Sequence, residues 1–264
     1  MTGTPADLLV VDVGNTNIVL GVYEGDRLLR SWRLATSRDR TADEYGILAK
    51  QLISDVFSRA LTGAIVASVV PPLNGVIRTM IEEYFGVEPI FVEPGVKTGL
   101  SIHIANPLEV GADRIVNAVA AFDAYGGPTI VVDFGTATTF DLVSIQGEYC
   151  GGVIAPGLTI SAEALFARAA RLPRVDIRRP DQLIGTSTVS SMQSGLYFGY
   201  LGLVDGILRR IRDEIPDLKK VVATGGLAPL LAEDSPLIDE VDPELTLKGL
   251  KIIFDRNLRV TRRR

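Results

Sequence analysis

The sequence predicts an α/β fold in which one domain plan occurs twice along the chain. Two segments carry this prediction. Residues 10–17 read Val-Val-Asp-Val-Gly-Asn-Thr-Asn, and residues 130–139 read Ile-Val-Val-Asp-Phe-Gly-Thr-Ala-Thr-Thr. Each is an apolar run that ends in Asp-x-Gly and continues with hydroxyl or amide residues. The two aspartates, Asp12 and Asp133, lie 121 residues apart, and a similar series of predicted strands and helices follows each of them.

In the first half, the apolar runs predict three antiparallel strands, then a helix, a strand, a helix and a strand. Thr41 and Glu44 form a capping-box pattern at the first helix, and Gly86 is a typical end for the second. This order is the ribonuclease-H-like layout, which occurs in each half of the actin, hexokinase and heat-shock ATPase folds. The predicted elements are a meander over Val10–Leu34, a helix from Thr41, strands at Ala64–Val70 and Ile90–Val92, and a helix at Asn74–Phe85.

The second half repeats the meander after Gly126-Gly127-Pro128, which we take as the domain boundary. We therefore predict two ribonuclease-H-like domains, residues 1–125 and 126–264, with a cleft between them. The helix predicted at Ser187–Arg212 is unusually rich in glycine, which lowers helix stability, so close packing against another helix is the expected compensation. The other predicted elements are strands at Thr129–Val132, Thr139–Ile145, Tyr149–Ile154 and Lys219–Thr224, helices at Thr159–Ala169 and Leu247–Leu258, and a surface loop at Arg171–Ile184.

Composition excludes several classes of protein. A net charge of −5 argues against nucleic acid as the main partner, and no apolar run is long enough to span a membrane. Cys150 is the only cysteine and His103 the only histidine, so an internal disulfide, a multi-cysteine zinc site and a His-rich metal centre are all excluded. Residues 1–7 lack the pattern of a signal peptide, and we expect a cytoplasmic protein.

The Asp-x-Gly turns suit a nucleotide phosphate with its Mg²⁺. Gly14 lets the backbone approach a ligand, Asn15 and Thr16 add short donors, and Asp12 can hold a hydrated cation. An ordinary tight hairpin is the alternative, and the second copy at Asp133 favours the phosphate site. Neither a P-loop nor a Rossmann fingerprint occurs, whereas Thr224-Gly225-Gly226 has the form of a strand-to-helix turn against which an adenosine lies in actin-like ATPases.

Further motifs make the resemblance specific. The chain resembles the type III pantothenate kinases, members of the actin, hexokinase and heat-shock ATPase superfamily that open coenzyme A synthesis. The resemblance covers nearly the whole chain. It rests on residues 12–17, on the Asn-Pro-Leu-Glu-Val-Gly-Ala-Asp-Arg run at 106–114, on residues 133–139, on Gly-Gly-Val-Ile-Ala-Pro-Gly at 151–157 and on Met-Gln-Ser-Gly at 192–195.

The resemblance implies ATP-dependent phosphorylation of pantothenate, with ATP, Mg²⁺ and a monovalent cation, K⁺ or NH₄⁺, bound to a homodimer. It implies that Asp113 is the proton acceptor and that Asp133 binds the monovalent cation. Many members have a tyrosine at the position of Ile104, so one expected polar contact to the substrate is missing here. The implied ATP contacts are Asp12, Val13, Gly14, Asn15, Thr16, Asn17, Ile18, Val19 and Thr136, and the implied pantothenate contacts are Gly111, Ala112, Asp113, Arg114 and Thr188.

The residues at 113 and 114 also support these roles by their chemistry. Arg114 can form a two-point contact with the carboxylate of pantothenate, and Asp113 can accept a proton from the attacking hydroxyl. A helix-capping aspartate that pairs locally with Arg114 is the alternative. Two other functions also stay open: a kinase of another small acid or sugar, and a non-catalytic regulatory relative.

Overall fold

The computed structural model describes residues 7–261, which form two compact units. The expectation about a signal peptide concerns a segment that lies almost wholly outside these residues. Within the described part, the first unit contains residues 7–100, 105–120 and 245–261, and the second contains residues 101–104 and 121–244. The strands are β1 (Asp7–Val13), β2 (Asn17–Glu24), β3 (Arg27–Ala35), β4 (Gly63–Ser68), β5 (Pro89–Phe91), β6 (Ser101–Ile102), β7 (Thr129–Phe134), β8 (Ala137–Val143), β9 (Glu148–Pro156), β10 (Lys220–Thr224) and β11 (Glu240–Val241). The α-helices are α1 (Ala42–Ser54), α2 (Asn74–Phe85), α3 (Ala112–Tyr125), α4 (Leu158–Arg168), α5 (Thr188–Glu214), α6 (Ala228–Ala232) and α7 (Leu245–Thr261).

The two sheets have the same strand order. The first runs β3-β2-β1-β4-β5, and the second runs β9-β8-β7-β10-β11 with the short strand β6 added beside β9. In both, the first three strands are antiparallel and the remaining crossover strands are parallel. The predicted duplication of a ribonuclease-H-like domain is therefore confirmed.

Local sequence signals account for the helices of the first unit. The hydroxyl of Thr41 accepts from the Glu44 amide, and the Glu44 carboxylate accepts from the Thr41 amide, so α1 begins with the predicted capping box. The helix α2 ends at Gly86, whose φ of 69° is left-handed and suits glycine. Both helices bury apolar residues in one core with alternate residues of β1, including Leu9 and Val11.

The last helix packs with the first sheet, which the boundary at residues 125 and 126 does not anticipate. The helix α7 contacts β1 and β4, and Phe254 lies where a side chain on Gly63 would otherwise sit. The helices α3 and α7 also approach closely, since a Cβ on Gly249 would be only 2.1 Å from the Val116 carbonyl oxygen. The apolar face of α7 is thus buried in the first unit, and the predicted sequence boundary of the duplicated domains stays a prediction.

The segment between α4 and α5 contains neither helix nor strand, as predicted for a polar loop. It is nevertheless fixed to its own unit. Arg179 donates to both carboxylate oxygens of Asp234, at 2.6 and 2.9 Å, and lowers the pKa of that carboxyl. Tyr197 on α5 donates to the same carboxylate, and burial together with this carboxylate raises the pKa of Tyr197 to about 12. The phenol therefore remains a donor at neutral pH.

None of the helices that the structure describes combines the length and the apolar composition that a membrane span requires.

Candidate active site

The first Asp-x-Gly turn connects β1 to β2. The Gly14 amide donates to the Asn17 carbonyl at 2.9 Å, and the Thr36 hydroxyl donates to the Gly14 carbonyl at 2.7 Å. The Thr36 amide also donates to the Thr16 carbonyl, so β3 supports the turn from the side. Asn15 and Thr16 are exposed at the tip. The turn is thus held by backbone hydrogen bonds and by Thr36, and its short polar side chains lie at the exposed tip.

The second turn connects β7 to β8 and is one residue shorter. Val13 pairs with Ile18 in the first hairpin, whereas Phe134 pairs with Thr138 in the second. Four residues separate the paired positions in the first turn and three in the second. The Gly135 amide donates to the Ala137 carbonyl at 3.1 Å, the counterpart of the contact made by Gly14. The repeat is therefore structural as well as sequential, with a local deletion at the tip.

Two further glycines border the second turn. Gly225, which follows β10, has a φ of 90°, and a Cβ there would lie 2.6 Å from the Asp133 carboxylate. Gly157 precedes α4 and donates from its amide to the Thr136 carbonyl at 3.1 Å. A Cβ on Gly157 would lie 2.2 Å from that same oxygen. Close backbone approach on both sides requires glycine at these positions.

The surroundings of Asp133 fit a cation. A Cβ on Gly225 or on Gly135 would occupy space beside its Oδ1 atom, at 2.6 and 3.7 Å respectively, so the absence of side chains leaves room there. Among residues 7–261, no group of three or more His, Cys, Asp or Glu side chains is arranged to hold a metal. One carboxylate with neutral oxygens suits a monovalent ion or a Mg²⁺ that is held mainly by substrate phosphates.

The Asn-Pro-Leu-Glu run forms a short 3-10 turn, residues Pro107–Glu109, that leads into α3. Asn106 holds the turn from both sides: its Oδ1 accepts from the Leu108 amide, and its Nδ2 donates to Glu109 Oε1 at 2.8 Å. Asp113 then lies in the first turn of α3. The motif thus fixes where α3 begins and which residues its first turn presents.

Asp113 and Arg114 are both half-buried, and Asp113 Oδ1 accepts from the Arg114 amide at 2.8 Å. The alternative interpretation, a capping aspartate that pairs locally with Arg114, is therefore met in part, since the Asp113 carboxylate bonds within its own helix turn. The same bond fixes the orientation of the carboxylate. A cap that also orients a base is compatible with proton transfer, and the two interpretations do not exclude each other.

Replacing Gly111 by alanine should lower kcat without unfolding the protein. A Cβ at this position would lie 2.5 Å from Asp113 Oδ1 and 3.3 Å from a methyl of Val69, so the carboxylate would have to move. Displacing a catalytic group by about 1 Å costs on the order of 10²-fold in rate. Steady-state kinetics and a melting curve test this, and a G111A enzyme with wild-type kcat would show that the position of the Asp113 carboxylate is unimportant.

Thr188 lies in the second unit, at the start of α5, and lines a groove of about 830 Å³. Its lining includes apolar side chains, such as Leu165, Leu172 and Met192, and hydroxyl groups, such as Ser187 and Ser191. The capping bonds between Ser187 and Ser190 fix this end of the helix. A groove lined by both apolar side chains and hydroxyl groups suits a small amphiphilic substrate.

Three residues that support the site could not be predicted from the sequence. Gly157 is the last residue of the motif at 151–157, but its contact with the second turn depends on how β9 returns past β8. Thr36 belongs to no sequence motif. It follows β3, and the pairing of β2 with β3 brings its hydroxyl to the Gly14 carbonyl. Tyr200 on α5 is a third case, since it donates to the Pro156 carbonyl at 2.9 Å and so connects α5 to the strand before Gly157.

The two sheets and their Asp-x-Gly turns define the class of protein: a duplicated ribonuclease-H-like fold of the actin-like group. Solved structures agree. A Baf family protein from Campylobacter jejuni superposes with a TM-score of 0.60 at 22% identity, over 95% of this chain and 99% of that one. The activator of the 2-hydroxyisocaproyl-CoA dehydratase from Clostridium difficile, with bound ADPNP, gives a TM-score of 0.54 at 11% identity, over 98% of both chains. At these identities the likeness concerns the fold alone.

Sequence comparison identifies the family. The family model for type III pantothenate kinase matches residues 8–210. The type III pantothenate kinase of Koribacter versatilis is 58% identical over 97% of this chain and 98% of its own length. That of Citrifermentans bemidjiense is 56% identical over 95% of this chain and 99% of its own. The chain belongs to the type III pantothenate kinase family, and it is a pantothenate kinase of coenzyme A biosynthesis.

Proposed function

We propose that Asp12–Val19 and Thr136 bind ATP in this enzyme. Support comes from the backbone of the two turns, which is fixed by its own hydrogen bonds while Asn15, Thr16 and Thr136 are exposed. Exposed amides and small hydroxyls in such turns suit phosphate oxygens. Asp12, half-buried at the end of β1, would hold the hydrated Mg²⁺ of the nucleotide. The ion would neutralise charge that develops on the phosphates.

Pantothenate is proposed to bind through Gly111, Ala112, Asp113 and Arg114, and through Thr188. The guanidinium of Arg114 pairs with the substrate carboxylate by two parallel hydrogen bonds. Asp113 accepts the proton of the primary hydroxyl as that oxygen bonds to the γ-phosphorus. The bond from the γ-phosphorus to its bridging oxygen breaks, and ADP leaves. Most of the catalysis is positioning, because phosphoryl transfer passes through a loose transition state.

Asp133 is proposed to hold the monovalent cation, K⁺ or NH₄⁺. The space that Gly225 and Gly135 leave beside its carboxylate supports this assignment. The enzyme is proposed to work in the cytoplasm, and a single cysteine, which allows no internal disulfide, is typical of that compartment.

The observation that carries the assignment is the turn at Asn106 that presents Asp113 and Arg114 together at the start of α3. A coupled assay of ADP release tests it. ADP should appear with pantothenate in the presence of Mg²⁺ and K⁺, and sugars or acetate should not replace pantothenate. Release with a sugar or acetate instead would favour another kinase of the superfamily. Absence of any pantothenate-dependent release would favour a regulatory protein.

The enzyme is further proposed to be a homodimer that uses the glycine-rich face of α5. Gly195, Gly199 and Gly202 are exposed, and a Cβ on each would meet nothing within 4 Å in the described chain. Glycine is costly within a helix, and a second backbone that approaches this face would account for it.

Gly199→Arg should therefore convert a dimer to a monomer, measured as mass by light scattering during size-exclusion chromatography. A matched control is Gly75→Arg, because Gly75 is also exposed within a helix with open space above it. The control should remain dimeric. A monomeric wild type, or a Gly199→Arg protein that stays dimeric, would exclude this face.

A further inference from the structure

Three side chains of β8 and β9 form a hydrogen-bonded group that the proposed function does not use: Thr139, Asp141 and Tyr149. Asp141, in β8, is fully buried, and both of its carboxylate oxygens are bonded. Tyr149 in β9 donates to Oδ1 at 2.7 Å, and Thr139 donates to Oδ2 at 2.7 Å. A carboxylate without water around it is costly unless it is paired with donors, so this arrangement is specific rather than incidental.

The backbone of β9 is shaped to make the group possible. The pairing of β8 with β9 is irregular between Asp141 and Val143, as at a β-bulge. At the same place Gly152 passes so close to β8 that a Cβ would lie 1.8 Å from the Phe140 carbonyl oxygen. Bulges of this kind reorient side chains and occur often beside active sites. The register shift makes Tyr149 the partner of Val143, two residues from Asp141, so Tyr149 lies on the same face of the sheet as Asp141.

Thr139 connects this buried group to Asp133. In the antiparallel pair β7–β8, Thr139 is the direct partner of Asp133. Partner residues point to the same face of a sheet, with Cβ atoms about 4.5–5.5 Å apart. Thr138, the preceding residue, points to the other face, where its hydroxyl is hydrogen-bonded to the Tyr200 hydroxyl.

The direction of one hydrogen bond decides what Thr139 offers to Asp133. A threonine hydroxyl has one hydrogen, and a carboxylate only accepts. The hydrogen of Thr139 therefore goes to Asp141, and the lone pairs of its oxygen face away from Asp141. Because Thr139 pairs with Asp133, a carboxylate and a hydroxyl oxygen lie on one face of the sheet. Oxygen acceptors of this kind are the ligands that hard cations select.

We propose that the Thr139 hydroxyl is a second ligand of the monovalent cation at Asp133, and that Asp141 and Tyr149 are positioning residues that fix this hydroxyl. The inference rests on the proposed cation site at Asp133. It adds a ligand in β8 and a role for the buried carboxylate behind it.

Direct cation binding tests the proposal. The melting temperature is followed in the presence of Mg²⁺ and ADPNP while KCl replaces choline chloride at constant ionic strength, and its rise gives an apparent Kd for K⁺. The variants are Thr139→Val, Thr139→Ser, Asp141→Asn and Asp133→Asn. Thr138→Val is the matched control, since it removes the neighbouring hydroxyl from the opposite face.

The apparent Kd for K⁺ should rise about 10–100-fold in Thr139→Val and about 10-fold in Asp141→Asn, as is usual for groups that support a metal ligand. Thr139→Ser, which keeps the hydroxyl, and Thr138→Val should stay near the wild-type value, and Asp133→Asn should lose the response. In the kinase assay, the KM for K⁺ should also rise more in Thr139→Val than in Asp141→Asn.

Wild-type affinity in Thr139→Val, beside a lost response in Asp133→Asn, would overturn the proposal. If Thr139→Val does not fold, unchanged affinity in Asp141→Asn overturns the role of the buried group. A wild-type protein without any response to K⁺ would overturn both this inference and the cation at Asp133. Pantothenate-dependent ADP release, measured separately, would still report on the proposed phosphotransfer.

Discussion

Replacing Asp113 by asparagine should lower kcat by about 10²–10⁴-fold, the usual contribution of a positioned general base. The amide keeps the shape of the side chain and can still accept from the Arg114 amide, so the start of α3 should be unchanged. The KM values for ATP and pantothenate should therefore change little. A coupled assay with and without potassium, together with a melting curve, separates lost chemistry from lost structure.

The matched control is Asp123→Asn, since Asp123 is an exposed aspartate on the same helix. It should behave as the wild type in every measurement. Equal turnover in the wild type and in Asp113→Asn would remove Asp113 from the mechanism and leave it with the capping role alone.

Replacing Gly225 by alanine should destabilise the enzyme by about 3 kcal/mol, the combined order of backbone strain and overpacking. Its φ of 90° is unfavourable for any residue with a Cβ, and the added atom would lie 2.6 Å from Asp133 Oδ1 and 2.7 Å from the Phe134 carbonyl oxygen. The melting temperature should fall by roughly 6–12 °C for a chain of this size. Any folded fraction should respond less to K⁺, because the Asp133 carboxylate must shift.

Gly75→Ala controls for the loss of a glycine as such. Gly75 lies in α2 with no atom within 4 Å of an added Cβ, so the change should be neutral or slightly stabilising. If Gly225→Ala has the same melting temperature as Gly75→Ala and keeps its response to potassium, the second turn tolerates a side chain beside Asp133.

Much of the fold could be predicted because its signals are local. The capping box at Thr41, the left-handed glycine at Gly86 and the apolar runs of the strands act over a few residues. The Asp-x-Gly repeat indicates the domain duplication, since a motif that recurs at about half the chain length implies a recurring domain. The identical strand order of the two sheets confirms it.

What could not be predicted depends on contacts that are distant in sequence. The helix α7 follows the second sheet in the chain but buries its apolar face in the first unit, and no local pattern indicates which sheet a helix will cover. The group of Thr139, Asp141 and Tyr149 depends on an irregular pairing of β8 with β9. Of the site residues, the motifs indicated Asp12, Asp113 and Asp133, and the roles of these residues remain predictions.

The packing of α7 also has a consequence for synthesis on the ribosome. The side of β1 and β4 that faces α7 buries Leu8, Val10 and Ile65, and Leu247 of α7 lies against Gly21 in the neighbouring strand. Since translation proceeds from the N-terminus, that surface lacks α7 until the chain beyond residue 245 has been synthesised, and 176 residues separate the end of β4 from the start of α7. Meanwhile residues 121–244 leave the exit tunnel as one uninterrupted stretch. We therefore expect the sheet of the second unit to be the first that can be fully covered, and the first unit to depend on holdase chaperones until α7 has been synthesised.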